Sequence, residues 1–563
     1  MRDWNTACPD WAERLMSGRS PIPDLPLFEN EAERALRIFR RLRVPDMVGL
    51  PRMGDVAGPW LFPLVAAIFG SYDVETNERM LSEFFVLVPK KNGKTSTAAA
   101  VMVEALILNR RPEAEFILVA PTKEVADISF RQAAGTIRAD PELSKLFHTQ
   151  NHVKTIQHLR NGATLKVKAA DTDVVTGGKQ VGTLIDELHV LSSKSEAADI
   201  LTELRGSLAA RPDGFLITIT TQSKDPPAGV FKDELAKARA VRDGELRLPI
   251  LPVLYEPPPQ IAKIEQMRER KNWGIVNPNL GRSVSEKFLT EQLAAADKSG
   301  IHSLALFASQ HFNIEVGVGL HTDAWVGAEY WEQCADPTLT LDSLLARSDV
   351  AVVGVDGGGV ADLFGLAVLG RERSDEDIRF RRWFLWTHSW AHKSVLTRYP
   401  EISPRLQDFA AVGELTLYDD MDDDLADIVE TIGKVKDSGL LSQIGMDAHG
   451  IGTLVDALRD ADIETREEGM EIIKSIPQGY KMMSAIKTAE RKLVAGTLIH
   501  GGQSIMNWCV GNAKVEPKGN AVMITKQISG YAKIDPLMAM FDAVAIMSMN
   551  PAPAHVVPEI FAL

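Results

Sequence analysis

Two groups of residues in this chain have the types and spacing to do chemistry. The first opens with the string VPKKNGKT, in which Lys90, Lys91, Asn92, Gly93, Lys94 and Thr95 lie between an apolar run and a helix-forming run. Gly93, Lys94 and Thr95 match the end of the phosphate-loop pattern G-x-x-x-x-G-K-[ST]. In that pattern backbone N–H groups at a helix N-terminus cradle phosphate oxygens. The lysine reaches the outer phosphates and the hydroxyl faces Mg2+. Val88 stands where the pattern's first glycine would be, so the loop must open differently, and Lys90 or Lys91 is placed to meet the γ-phosphate in cis. An ordinary lysine-bearing loop before a helix is the alternative reading of this string alone.

Its partner is GTLIDELHV, where Asp186 and Glu187 close an apolar strand. Ligands collect at the carboxyl ends of strands in open α/β sheets. Asp186 is therefore expected to hold Mg2+ and Glu187 to polarise the attacking water. The competing reading is a strand that merely ends in two solvated acids. Thr220, Thr221 and Gln222 end a further buried strand and are candidates to sense the γ-phosphate, while His189 reads as packed or capping.

The second group is a set of separated aspartates. Asp356 and Asp447 each end an apolar strand, Asp362 opens another, and Asp535 starts a helix that carries Asp542 two turns on. Carboxylates in such apolar settings are costly unless a cation meets them. Acids from two strands and a helix can hold two Mg2+ or Mn2+ ions for phosphodiester cleavage. Taken singly, Asp356 also suits a tight glycine turn, and Asp535 before Pro536 suits a helix N-cap. The acidic run Asp419, Asp420, Asp422, Asp423 and Asp424 reads as a solvated helix start. Arg379, Arg381 and Arg382 read as a solvated strand face ahead of a DNA contact.

The elements that must position these residues follow from the pattern of apolar runs. From Phe84 to about Ser223, strands alternate with helices, which implies a mainly parallel sheet covered on both faces. From Asp349 the runs DVAVVGVD, LFGLAVLGRE and RFRRWFLW suit an antiparallel meander. The chain of 563 residues, 45% hydrophobic with a net charge of −14, is globular and long enough for two or three domains. Its acidity argues against a general nucleic-acid coat but allows a local basic groove. Cys8, Cys334 and Cys509 form neither a disulfide pattern nor a zinc pattern, so a reduced intracellular protein is expected. The first ten residues lack the apolar core of a secretory leader. The apolar run Trp60–Gly70 is about half the ~20 residues that span a bilayer, so no membrane association is expected.

With these motifs in order, the sequence resembles the large terminase subunit of tailed bacteriophages. The resemblance rests on GPWLFPLVAAIFG, VPKKNGKT, APTKEVA, LIDELH, LAARPDGFLITITTQSKDPPAGVF, WGIVNPNLGRSV, GVDGGGVADLFGLAVLG, QGYKMMSAIKTAERKLVAGTLIHGG, GNAVMITK and KIDPLMAMFDAVA. It implies an α/β chain in which a P-loop ATPase domain with a parallel-rich sheet precedes an RNase H-like, mixed-sheet nuclease domain. The expected divisions are lead-in helices over 1–58, the ATPase over 59–315, a linker over 316–345 and the nuclease over 346–563. Carried over by position, Lys90 to Thr95 and Asp186 bind ATP and Mg2+, and Glu187 is the catalytic carboxylate. Asp356, Asp447 and Asp535, with Asp362 as a fourth, hold two Mg2+ or Mn2+ ions in the nuclease.

Glycines 357 to 359 replace a serine-containing turn of the family, and Leu61 or Phe62 stands where relatives carry an adenine-reading glutamine. The implied function is a genome-packaging motor that drives double-stranded DNA into a procapsid and cuts concatemers. Its implied partners are viral DNA, the small terminase subunit, the portal protein and further copies in a ring, expected as a pentamer. The implied setting is the host cytoplasm, transiently at the procapsid portal and outside the mature virion. Arg205 and Arg211, near the sheet edge, are candidate trans-acting arginines. The competing functions are a helicase or remodelling ATPase whose second half binds DNA without cutting it, and a structural protein with a degenerate loop.

Overall fold

The computed structural model describes residues 3–170, 180–194, 196–262, 264–299, 301–315, 325–357, 362–420, 423–447, 452–463, 472–518, 521–526 and 532–553. The chain divides into two compact units, 1–316 and 317–563.

In the first unit, after a short helix over Trp11–Met16, helix α1 (Glu29–Arg41) carries an inward stripe of Ala32, Ala35 and Phe39 that follows a 3.6-residue period. Its acidic first turn and basic last turn suit the helix dipole. Helix α2 (Leu61–Gly70) is apolar on every side and buried accordingly. Strand β1 (Glu83–Leu87) leads through the phosphate loop into α3 (Lys94–Leu108). There follow β2 (Glu115–Ala120), α4 (Lys123–Arg138), β3 (Phe147–Gln150), β4 (Thr155–His158), β5 (Thr164–Ala169), β6 (Gln180–Asp186), β7 (Phe215–Thr220), α5 (Gly229–Asp243) and β8 (Ile250–Leu254).

The sheet order is β8-β1-β7-β6-β2-β5-β4-β3. The six strands from β8 to β5 run parallel, and β4 and β3 close the edge antiparallel. The inner strands are near-continuous apolar runs because helices cover both faces. Alternate residues of β1 feed opposite clusters, with Phe84 and Val86 on one side and Phe85 and Leu87 on the other. β3, β4 and β8 were not anticipated as elements, since the first two are short and polar and the third has no following motif. A helical segment with its own apolar cluster, built around Trp273, Phe307 and Phe312, completes the unit. It includes α6 (Trp273–Val276) and α7 (Ile301–Phe312).

The second unit is built on β9 (Ser348–Gly357), β10 (Phe364–Glu372), β11 (Trp383–His392), β12 (Leu415–Tyr418), α8 (Asp423–Asp437), β13 (Leu441–Met446), β14 (Ile473–Ser475), β15 (Leu498–His500) and α9 (Asp535–Met547). Its sheet order is β12-β11-β10-β9-β13-β14, with β15 also paired to β11. β9, β10 and β11 form the antiparallel meander, and β13 joins β9 in parallel. β11 starts at Trp383, so the arginines of RFRRWFLW precede the strand rather than line it.

One sheet face packs α9, as the shared cluster of Val352, Ala367, Leu369, Met540 and Val544 records. The other packs α8 through Val353, Leu366, Val368, Ile428 and Ile432. Helix α9 sits directly on the sheet because glycines face it. A Cβ on Gly354 would lie 1.9 Å from the Ala539 carbonyl oxygen, and one on Gly365 would lie 2.6 Å from Pro536 Cα.

Candidate functional site

The phosphate loop owes its shape to two left-handed residues, Lys91 (φ 70°) and Gly93 (φ 78°), the second being the N-cap of α3. This leaves the first N–H groups of a 15-residue helix turned toward whatever the loop encloses. Lys94 is buried, and its ammonium donates to Thr221 Oγ1 and lies 3.3 Å from Glu187 Oε1. The Thr95 hydroxyl donates to Asp186 Oδ2 at 3.2 Å.

Topology explains this convergence. β7 lies between β1 and β6, with Leu87 level with Thr220 and Ile219 level with Asp186. The strand ending in Thr220, with Thr221 and Gln222 just beyond it, therefore separates the cradle from the acid pair.

Asp186 is fully buried, and burial, reinforced by the charge of Glu187, lifts its carboxyl to about 7. Its second oxygen has no hydrogen-bond partner among the described residues. An acid that is costly to ionise here, beside a hydroxyl and a helix N-terminus, fits Mg2+ on a nucleotide. Glu187 adopts a left-handed backbone (φ 58°), a strained conformation of the kind concentrated at functional sites. His189 lies against it, with Nδ1 3.2 Å from Glu187 Oε2 and 3.0 Å from Thr220 Oγ1. Burial holds this imidazole down to about 4, so it is neutral at physiological pH. Glu187 is the left-handed N-cap of the turn Leu188–Leu191 that carries His189, and residues two apart in a helix do not ordinarily face one another, so their spacing did not announce the contact.

Asn92 does not face the cradle. It is buried, and its amide donates to Asn277 Oδ1 at 2.9 Å and accepts from the Asn279 N–H at 3.0 Å. Asn279 donates in turn to the Asn92 carbonyl at 2.8 Å and accepts from Trp60 Nε1 at 3.0 Å. The WGIVNPNLGRSV string thus braces the phosphate loop, a role its residue types did not reveal. Lys90 is half-buried, and burial together with neighbouring lysines holds its ammonium below the usual range. Lys91 is exposed.

Arg205 is committed elsewhere. Its guanidinium forms ion pairs with Glu83 at 2.8 Å and Glu234 at 2.5 Å. Glu83 begins β1, so this pair marks the edge of the sheet opposite the phosphate loop. Arg211, just before β7, lies at that same amino edge.

In the second unit Asp356 is the penultimate residue of β9 and Asp447 directly follows β13, its parallel neighbour. Asp542 on α9 is fully buried, and its carboxyl is raised to about 9 by burial and then by the charges of Asp356 and Asp447. The three acids therefore share one electrostatic environment, which suits a divalent cation. Gln478 Nε2 donates to Asp542 at 3.1 Å. Asp535 is the first residue of α9, whose N-cap is Ile534, so the simple capping reading of Asp535 is not the arrangement found. Asp362 accepts from Lys533, a buried lysine whose ammonium also lies 4.4 Å from the Tyr399 ring centroid. Among the described residues no three acids, histidines or cysteines form a ready metal cage. Gly358 and Gly359 lie outside the described residues, as does Asp422.

Comparison with known families decides the assignment. The model of the terminase large subunit ATPase domain matches residues 59–239, and that of the terminase large subunit endonuclease domain matches residues 256–550. The chain belongs to the terminase large-subunit family. It is an α/β enzyme with an ATPase domain and an endonuclease domain.

The terminase large subunit of Lactococcus phage SK1 is 22% identical over 82% of this chain and 81% of that protein. YmfN of Escherichia coli is 26% identical over 48% of this chain and 57% of its own length. The large terminase of bacteriophage HK97 is 20% identical, covering 92% of this chain and 99% of that one, with a TM-score of 0.45. In this terminase the endonuclease match begins at residue 256, whereas residues 256–316 belong structurally to the first unit.

Four further sequence expectations can be set beside the structure here. Arg379 pairs with Asp377, Arg381 with Asp349 and Arg382 with Glu372, so each guanidinium already has an acidic partner. Asp424 departs from the solvated run, since it is buried beside Tyr418. The three cysteines are free thiols and buried. Among the described residues no helix is long and apolar enough to cross a membrane.

Proposed function

We propose that this terminase is the motor subunit that packages a viral genome. ATP hydrolysis at the Lys94 cradle drives double-stranded DNA into a procapsid, and the second unit cuts the concatemer. The observation that carries this reading is Lys94 shared between Thr221 and Glu187, with Thr95 on Asp186. One ammonium thus touches both the sensor strand and the proposed base.

When ATP enters, Lys94 transfers its charge from Glu187 to the phosphate chain, and Glu187 becomes available to accept a proton from water. His189, neutral and bonded to Thr220, orients the freed carboxylate. Gly93 and the first N–H groups of α3 hold the phosphates, with Lys90 and Lys91 lending positive charge. Thr95 and Asp186 would hold Mg2+, which when bound would supply charge neutralisation at the phosphate oxygens. In the second unit Asp356, Asp447 and Asp535 would hold two Mg2+ or Mn2+ ions, which when bound would supply Lewis-acid chemistry for phosphodiester cleavage. Asp542, coupled to Asp356 and Asp447, supports them from α9, and Asp362 accepts from Lys533.

The proposed divisions are lead-in helices to 58, the ATPase to 315, a linker to 345 and the nuclease beyond it. The active form is a homo-oligomeric ring, a pentamer, on the portal protein. A small terminase subunit delivers viral DNA in the host cytoplasm, and the ring departs before the virion matures.

Paired variants test the assignment. Lys94→Ala abolishes ATP turnover and leaves manganese-dependent plasmid nicking intact, whereas Asp356→Ala does the reverse. ATP-driven protection of linear DNA inside portal-bearing procapsids requires Lys94. Loss of both activities in either variant, or procapsid filling by Lys94→Ala, would overturn the reading.

A further inference from the structure

The carboxyl end of α7 is bonded to three strand exits at once. The Lys90 N–H donates to the Gln310 carbonyl at 2.8 Å, which ties the phosphate loop to α7. Gln310 Nε2 donates to the Gln222 carbonyl at 3.1 Å, and the Gln222 N–H donates to Asn313 Oδ1 at 3.1 Å. Asn313 Nδ2 donates to the Tyr255 carbonyl at 2.8 Å, just past β8. Gln222 and Asn313 are 0% and 1% exposed, so these bonds are made away from water and each is expensive to break. Asn313 also sits in the left-handed region at φ 53°, where asparagine is tolerated better than most residues.

Two features argue for more than a static brace. Gln222 Nε2 and Gln310 Oε1 are both buried without a hydrogen-bond partner among the described residues. One is a donor and the other an acceptor, on side chains already bonded through other atoms, so a second pairing is available to the same two residues. Moreover, α7 lies in the stretch matched by the endonuclease model, although it packs on the ATPase sheet, and the chain leaves it directly for the second unit. A segment matched by the endonuclease model thus bonds the phosphate loop of the first unit.

We propose that Gln310 and Asn313 are positioning residues for ATP hydrolysis. They read the phosphate loop through Lys90 and the sensor strand through Gln222, and they change partners when nucleotide is bound. The proposal rests on Lys94 and its loop being the nucleotide site.

Hydrogen exchange of residues 301–313, with and without ATPγS, tests it alongside binding of a fluorescent ATP analogue and ATP turnover. In the wild type, ATPγS changes exchange in this segment by about fivefold or more. Gln310→Ala and the isosteric Gln310→Glu bind the analogue within about threefold of wild type, turn over about tenfold more slowly and lose the exchange response. Asn313→Gly, which keeps the backbone conformation but lacks the amide, behaves alike. A response retained in folded Gln310→Glu and Asn313→Gly, or unchanged turnover in both, overturns the proposal. Wild type that binds the analogue without a response overturns it alone. Wild type that binds none, like Lys94→Ala, overturns the nucleotide-site reading as well.

Discussion

The Thr95 hydroxyl and Asp186 Oδ2, 91 positions apart in sequence, meet at 3.2 Å across the carboxyl edge of the first sheet. In the proposed reading these two residues would hold the metal of a bound nucleotide, which is supported by the other Asp186 oxygen being buried without a hydrogen-bond partner among the described residues. Thr95→Val keeps the shape of the side chain and removes the hydroxyl. The expected result is a fall of about 10²-fold in kcat/KM for ATP and a Mg2+ requirement shifted to higher concentration. An unchanged Mg2+ titration would remove Thr95 from the metal site.

Glu187 and Lys94 make a second prediction with a split outcome. The ammonium 3.3 Å from Glu187 Oε1 must leave the carboxylate to serve phosphate. Glu187→Gln removes that competitor along with the base. Turnover should drop by at least about 10²-fold while the affinity for a non-hydrolysed ATP analogue stays level or rises. Equal losses in binding and turnover would mean that Glu187 supports the loop rather than the chemistry.

Gly354 makes the third prediction, in the other unit. A methyl there would collide with the backbone of α9 at Ala539 and Ala543, at 1.9 and 2.6 Å, and backbone cannot rotate aside. The helix must shift, taking Asp535 and Asp542 with it. Gly354→Ala is expected to lose manganese-dependent nicking by about 10²-fold or more and to keep ATP turnover, since displacement of a reactive group by about 1 Å is that costly. Full nicking activity in the variant would show that α9 does not carry the reacting acids.

Much of this was legible from residue order. Gly93-Lys94-Thr95 and Asp186-Glu187 stood at strand ends, and apolar runs fixed which sheet edge they shared. Asp356 and Asp447 were readable on the same grounds. What stayed hidden depended on burial and on which side chains meet in the fold. The amides of Asn92, Asn277 and Asn279 have no periodicity, and nothing in their types says that they would bond one another rather than water. His189 beside Glu187 was obscured because burial, not sequence, decides its neutral state. Arg205 looked available near a sheet edge, but which edge became clear only when Glu83 was seen to begin β1. Asp542 lay on the right helix, yet its coupling to Asp356 and Asp447 required the glycine-faced approach of α9.

Lys533 and Asp362 differ sharply in exposure, at 2% and 36% of their side chains. Their pair is therefore unequal, and so are the costs of breaking it. Asp362→Ala leaves an ammonium buried against Tyr399 without its carboxylate, which costs about 2 kcal/mol after allowance for solvent at the aspartate. Lys533→Met fills the same space without charge and releases a carboxylate that can reach water, for less than about 1 kcal/mol. Urea denaturation of the two variants checks the order. The reverse order would mean that Asp362 depends on Lys533 for solvation, as an acid directed at a metal site would.

Glu104 supplies a pH test remote from either proposed site. It is fully buried in α3, and burial pushes its carboxyl well above the ordinary value of 4.5, the Phe39 backbone opposing this by less. The folded chain thus keeps a proton that the unfolded chain releases. Below pH 4.5 both states are protonated and Glu104 costs nothing on this account. Above it, stability falls by about 1.4 kcal/mol per pH unit until the folded carboxyl also ionises. Glu104→Gln removes that proton linkage. Its melting temperature should match wild type near pH 4.5 and exceed it progressively as the pH rises above that, with ATP turnover retained. A constant difference across this range would mean that Glu104 is ionised in the folded chain, stabilised by something other than the apolar surroundings found here.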